Sequence, residues 1–117
     1  GHQTAHVALF DRRTGLLLTG DTLYPGRLYI DDFAAYQTSL DRLLAFTDAV
    51  TVCGVLGTHI EMSTTPGDDY EFAVTDHPDE HALALELAHL RELEDAVDAM
   101  AADPHIEAHD DFVVYPL

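Results

Sequence analysis

The sequence predicts an α/β domain in which a mixed sheet is covered by helices. Three observations carry that expectation. Short β-branched and leucine-rich runs end at glycine or proline, two stretches repeat apolar residues at helical spacing, and the two patterns alternate along the chain. With 117 residues, of which 47% are hydrophobic, the chain has the material for one core.

The first element is a hairpin. His6-Val7-Ala8-Leu9-Phe10-Asp11 is short and apolar, Asp11 to Gly15 supplies a charged turn, and Leu16-Leu17-Leu18-Thr19-Gly20-Asp21 returns. Continuous Leu16 to Leu18 does not alternate, so this strand is expected to be covered on both faces. Thr22 to Asp32 is broken by Pro25-Gly26 and reads as an active-site loop that does not extend the sheet. Tyr36, Leu40, Leu43, Leu44 and Phe46 then predict a helix near residues 34–47.

Val50, Val52, Cys53, Val55 and Leu56 form the next buried strand, which ends at Gly57 with Thr58-His59 at its exit. Residues 60–78 read as a long loop, being interrupted by Pro66-Gly67 and Pro78. Leu83, Leu85, Leu87, Leu90, Leu93, Val97 and Met100 predict a helix over residues 80–102, about 35 Å long at 1.5 Å per residue. Phe112 to Tyr115 suits a terminal edge or inserted strand.

Composition narrows the function. Twenty-two acidic side chains stand against five basic ones, all arginine, for a formal charge of -17 with neutral histidine. A surface that tracks phosphates needs clustered cations, so no nucleic acid and no anionic membrane is expected as a partner. No apolar run reaches the roughly 18 residues of a membrane span, and the single cysteine cannot form an internal disulfide. A soluble, cytoplasmic protein is expected. Moderate salt should stabilise it by screening self-repulsion.

Three polar residues flank the apolar strands: His2 precedes the first, while Asp21 and His59 terminate later ones. Strand ends can bring distant residues to one rim, and imidazole nitrogen and carboxylate oxygen are ordinary zinc ligands. Taken singly, Asp21 can also cap the Pro25-Gly26 turn, His59 can be a hydrogen-bonded loop residue, and His2 can be a cleavage scar. His77, His81, His89, His105 and His109 are expected to be solvated or capped. Cys53 is expected to pack in its strand, and Arg27 is either a surface charge or a contact to an acidic substrate. Thr64 to Asp68 is either a surface turn or part of a substrate rim. Tyr24, Tyr29 and Tyr36 are expected to anchor core or loops, and His6 either lines the cleft or is structural.

Gly1-His2-Gln3-Thr4-Ala5-His6-Val7-Ala8-Leu9-Phe10, followed by Leu17-Leu18-Thr19-Gly20-Asp21-Thr22-Leu23, resembles the second half of the metallo-beta-lactamase fold superfamily. Gly57-Thr58-His59 matches the Gly-x-His that ends a later strand in that family. The resemblance covers nearly the whole chain. It implies half of an αββα sandwich and a metal site in which His2 binds one zinc ion, Asp21 bridges two, and His59 binds the second; other divalent transition metals fit the same donors. Water activated there would hydrolyse a small ester, thioester, amide or phosphate-containing substrate.

The family's His-x-His-x-Asp-His cluster does not occur in this sequence. His77-Pro78-Asp79-Glu80-His81 has the wrong spacing for it. A complete site is therefore expected to draw on a preceding segment of a parent polypeptide or on a second chain, and the chain alone to be weak or inactive. The other expectation is a catalytically inactive structural domain that self-associates, as a homodimer, through sheet surface left without cover.

Overall fold

A computed structural model describes residues 5–117 and shows a small α/β domain with two mixed sheets and two helices. The first sheet has the order β1 (Leu9–Asp11), β2 (Leu16–Gly20), β4 (Gly54–Gly57), β5 (Ala84–Leu85). β1 and β2 form the expected antiparallel hairpin, β4 runs parallel to β2, and β5 closes the edge antiparallel to β4. The second sheet has β7 (Val113–Pro116) between β3 (Arg27–Ile30), to which it is parallel, and β6 (Glu107–Ala108).

Helix α1 (Phe33–Thr47) starts where Asp32 accepts a hydrogen bond from the Ala35 amide, an N-cap that satisfies one of the helix's orphan donors. Its buried face carries Tyr36 and Leu40. Helix α2 (Leu87–Ala99) is opened by a reciprocal pair: the Glu86 carbonyl accepts from the His89 amide, and the His89 ring receives the Glu86 amide. Leu90, Leu93 and Val97 are its inward stripe. These residues meet Leu17, Val55 and Leu85 of the first sheet and Leu28, Ile30 and Val114 of the second in one hydrophobic cluster. No helix among the described residues is long and apolar enough to cross a membrane.

Three sequence expectations change, and one alternative is decided. The helix expected over residues 80–102 covers only 87–99, because Ala84 and Leu85 pair with Leu56 and Val55 as a sheet edge. Leu83, Leu85 and Leu87 alternate at a spacing of two, which suits that strand as well as a helix. The loop expected over 22–32 contains β3, whose ladder with β7 cannot be seen from a segment so short. Of the two places expected for the last strand, β7 takes the inserted one. Finally, β2 is covered on one face only: Leu17 is 1% exposed and its neighbour Leu18 is 38% exposed.

Residues 58–83 form an ordered loop, held by the isolated bridges Met62 to Asp69 and Ser63 to Glu80. Met62 is fully buried, and the Gly67 amide donates to the Asp110 carbonyl, so this loop lies against the approach to β7. Thr64 to Asp68 is thereby a turn packed on that approach.

Candidate functional site

β2 and β4 run parallel, so both end at the same rim of the sheet, and the residues just beyond them meet there. Gly20 pairs with Gly57 after a register shift at Leu18 to Gly20. Gly20 has a φ of +56°, and a Cβ on Gly57 would lie 2.4 Å from the Leu23 carbonyl oxygen. Only glycine accommodates that left-handed turn without strain, and only glycine lets the chain after β2 fold back so closely over β4.

The result is a direct contact between the two predicted rim residues, with Nε2 of His59 lying 3.0 Å from Oδ1 of Asp21. The Thr58 hydroxyl donates to the same Asp21 oxygen. The His59 ring packs edge-on against Tyr24, with centroids 5.1 Å apart. Tyr24 is itself fixed, since its hydroxyl donates to the Arg27 carbonyl and burial, reinforced by Glu61, pushes its pKa far up. It therefore stays a neutral wall. The pair itself remains open to water, with the Asp21 side chain 28% and that of His59 52% exposed.

His6 approaches from the first strand side. Its Nε2 is 2.9 Å from the Thr19 carbonyl oxygen, and its ring occupies the space beside Gly20 that a Cβ would need. Thr19 is fully buried and its hydroxyl donates to the Leu23 carbonyl, which pins the turn carrying Asp21. His2 lies outside the described residues. Thr58 is the contributor the sequence reading passed over, although its place between Gly57 and His59 made it visible.

As donors, Asp21 and His59 supply one oxygen and one nitrogen at adjacent positions, a chemistry that fits zinc. Two donors fall short of the three or four protein ligands of ordinary zinc sites. Among the described residues no group of three or more His, Cys, Asp or Glu side chains is disposed to hold a metal ion.

The remaining candidates are structural. Arg27 is 6% exposed: it contacts Glu61 at 3.2 Å and Asp69 at 2.8 Å and lies under the Phe72 ring, so it fastens the long loop and is no substrate contact. Cys53 is exposed, because it precedes β4 and does not lie within it. Tyr36 is buried with its hydroxyl donating to the Thr22 carbonyl.

His81 and His89 do not share a helix face. They grip the two oxygens of Asp111, at 2.9 and 3.1 Å. His77 stacks on Tyr70 and contacts Glu80, His105 contacts Glu107, and His109 stacks on Phe112.

No protein-family model matches the chain, and neither a curated protein nor a solved structure matches it. The functional reading therefore rests on the rim itself.

Proposed function

We propose that the Asp21–His59 rim is part of a metal-dependent hydrolytic centre and that the chain forms one half of a metallo-beta-lactamase-type αββα sandwich. The observation that carries this reading is the 3.0 Å contact between a carboxylate and an imidazole whose residues lie 38 apart in the sequence, joined at the exits of two parallel strands. In the complete site His2, Asp21 and His59 would hold the zinc, together with ligands from a preceding segment or a second chain. A bound zinc ion supplies an acidified water and polarises the carbonyl or phosphoryl oxygen of a small ester, thioester, amide or phosphate substrate.

The chain's own part is positioning. Thr58 orients the Asp21 carboxylate, Tyr24 limits the swing of the His59 ring, and the exposed rim leaves the reacting group room to enter. Zinc titration followed by Asp21→Ala tests the reading, using the protein at its natural length. Expected is loss of tight binding at one or both sites and a fall in hydrolysis of at least about a hundredfold. Unchanged metal stoichiometry and hydrolysis in the Asp21→Ala protein would overturn it.

A further inference from the structure

We propose that His109 is a proton-operated clasp, a ring protonated on both nitrogens that ties the β6–β7 hairpin to α2 and releases it as pH rises. The ring sits between carboxylates from two elements. Its Nδ1 lies 3.3 Å from Oε1 of Glu92 on α2, and its Nε2 lies 2.8 Å from Oε1 of Glu107 on β6. The ring also stacks on Phe112, which is fully buried, and that contact fixes its place. Nε2 is sealed from water and makes no aligned hydrogen bond, so its approach to Glu107 is a charge contact.

A neutral imidazole has one N–H and one bare lone pair. Between two carboxylates that lone pair faces an anionic oxygen and is repelled, whereas a ring with both protons attracts both partners. The surrounding charges are already committed. On α2, His89 stands three residues before Glu92 on the same face and reaches Asp111 of the hairpin turn. The other Asp111 oxygen is taken by His81 from the long loop. From the segment before β6, Nε2 of His105 lies 3.3 Å from the second Glu107 oxygen. His105 obeys the same rule, since its Nδ1 faces the Asp103 carbonyl at 2.8 Å. That carbonyl raises its pKa, with Glu107 adding and desolvation opposing.

The consequence is mechanical. β6 pairs with β7 at just Glu107 and Ala108 and is an edge of the second sheet, so it depends on side-chain ties. Loss of the Nδ1 proton turns the longer, half-exposed Glu92 contact from attraction to repulsion, while the Nε2 proton still serves Glu107. The tie that opens is therefore the one to α2. The hairpin turn also holds the long loop that leaves the rim at His59, because the Gly67 amide donates to the Asp110 carbonyl. A proton kept by the folded chain and shed by the unfolded one near pH 6.5 stabilises the docked form below that pH. Its contribution is lost as pH rises.

Amide hydrogen exchange at about pH 6 and about pH 8, corrected for the intrinsic change of rate with pH, tests the clasp. The Gly67 amide reports the docked hairpin, and Leu40 on the buried face of α1 reports global opening. In the wild-type protein the protection of Gly67 relative to Leu40 is expected to fall at least about threefold between the two conditions. His109→Phe keeps a ring to stack on Phe112 and removes both protons, and is expected to show the low value at both. If that variant fails to fold, the ring ¹⁵N signals of wild-type His109 decide. They are expected to report loss of the Nδ1 proton over the same pH interval in which Gly67 loses protection. Wild-type protection that does not change with pH would overturn the proposal, as would the same pH dependence surviving in His109→Phe. So would a His109 ring that changes its proton count where Gly67 does not respond.

Discussion

Arg27 gives up hydration for a set of bonds that no other side chain could make together. Its Nε donates to the Tyr29 hydroxyl, and Nη1 donates to Asp69 and to the Tyr70 carbonyl. Burial opposes its charge, but the bonds from Tyr29 and Asp69 and the charge of Glu61 outweigh it, and the pKa rises. Arg27→Met is expected to cost about 2 kcal/mol of unfolding free energy, the worth of a charged hydrogen-bond set, measured by denaturant titration. Arg27→Lys should recover only part, since an ammonium lacks the planar fork. Nothing in the sequence marked this arginine as buried, because its partners Glu61 and Asp69 arrive from a loop without periodicity. Gly57 acts at the same scale. Gly57→Ala would force the Leu23 carbonyl and Tyr24 aside and is expected to destabilise by about 1–3 kcal/mol, shifting the thermal midpoint downward and disturbing the His59 ring.

Among the elements, α2 depends on a contact outside itself. His89 caps its first turn through Nδ1 while Nε2 faces Asp111, and His81 from the preceding loop takes the other carboxylate oxygen. The junction ties the loop, the helix start and the approach to β7. Burial works against the Asp111 charge, but the hydrogen bond from His81 and the charges of His89 and His81 prevail and hold its pKa below the usual 3.8. A depressed carboxylate stabilises the fold above its unfolded pKa and loses that contribution as pH falls through the folded value. The gap in thermal stability between the wild-type protein and Asp111→Asn is therefore expected to be full above about pH 4 and to close on further acidification. Because the pair is partly exposed, the gap should be about 1 kcal/mol or less. Helical spacing made α1 legible in the sequence to within a residue at its start. The first turns expected of α2 were lost to β5 because the ladder to β4 satisfies backbone groups that a helix start would leave unpaired.

At the level of the whole molecule, charge dominates. The chain carries -17 with no lysine, and no single contact offsets that. Thermal midpoints are expected to rise across an ionic-strength series from about 0.01 to 0.3 M, as the Debye length falls from about 30 Å toward 6 Å. A flat or falling series would show that the acidic side chains are already neutralised locally.

The sequence by itself determined the α/β class, the hairpin, α1, the acidic character and the places of Asp21 and His59 at strand exits. Each of these follows from local periodicity, from composition, or from a strand ending in glycine followed by a polar side chain. Tertiary structure alone decided that β3 and β7 form a second sheet, that Arg27 and Asp111 are junctions, that Asp21 meets His59, and that the core covers only one face of β2. Those outcomes depend on which segments meet across dozens of residues, and the energy that selects them resides in the contact and not in either segment alone.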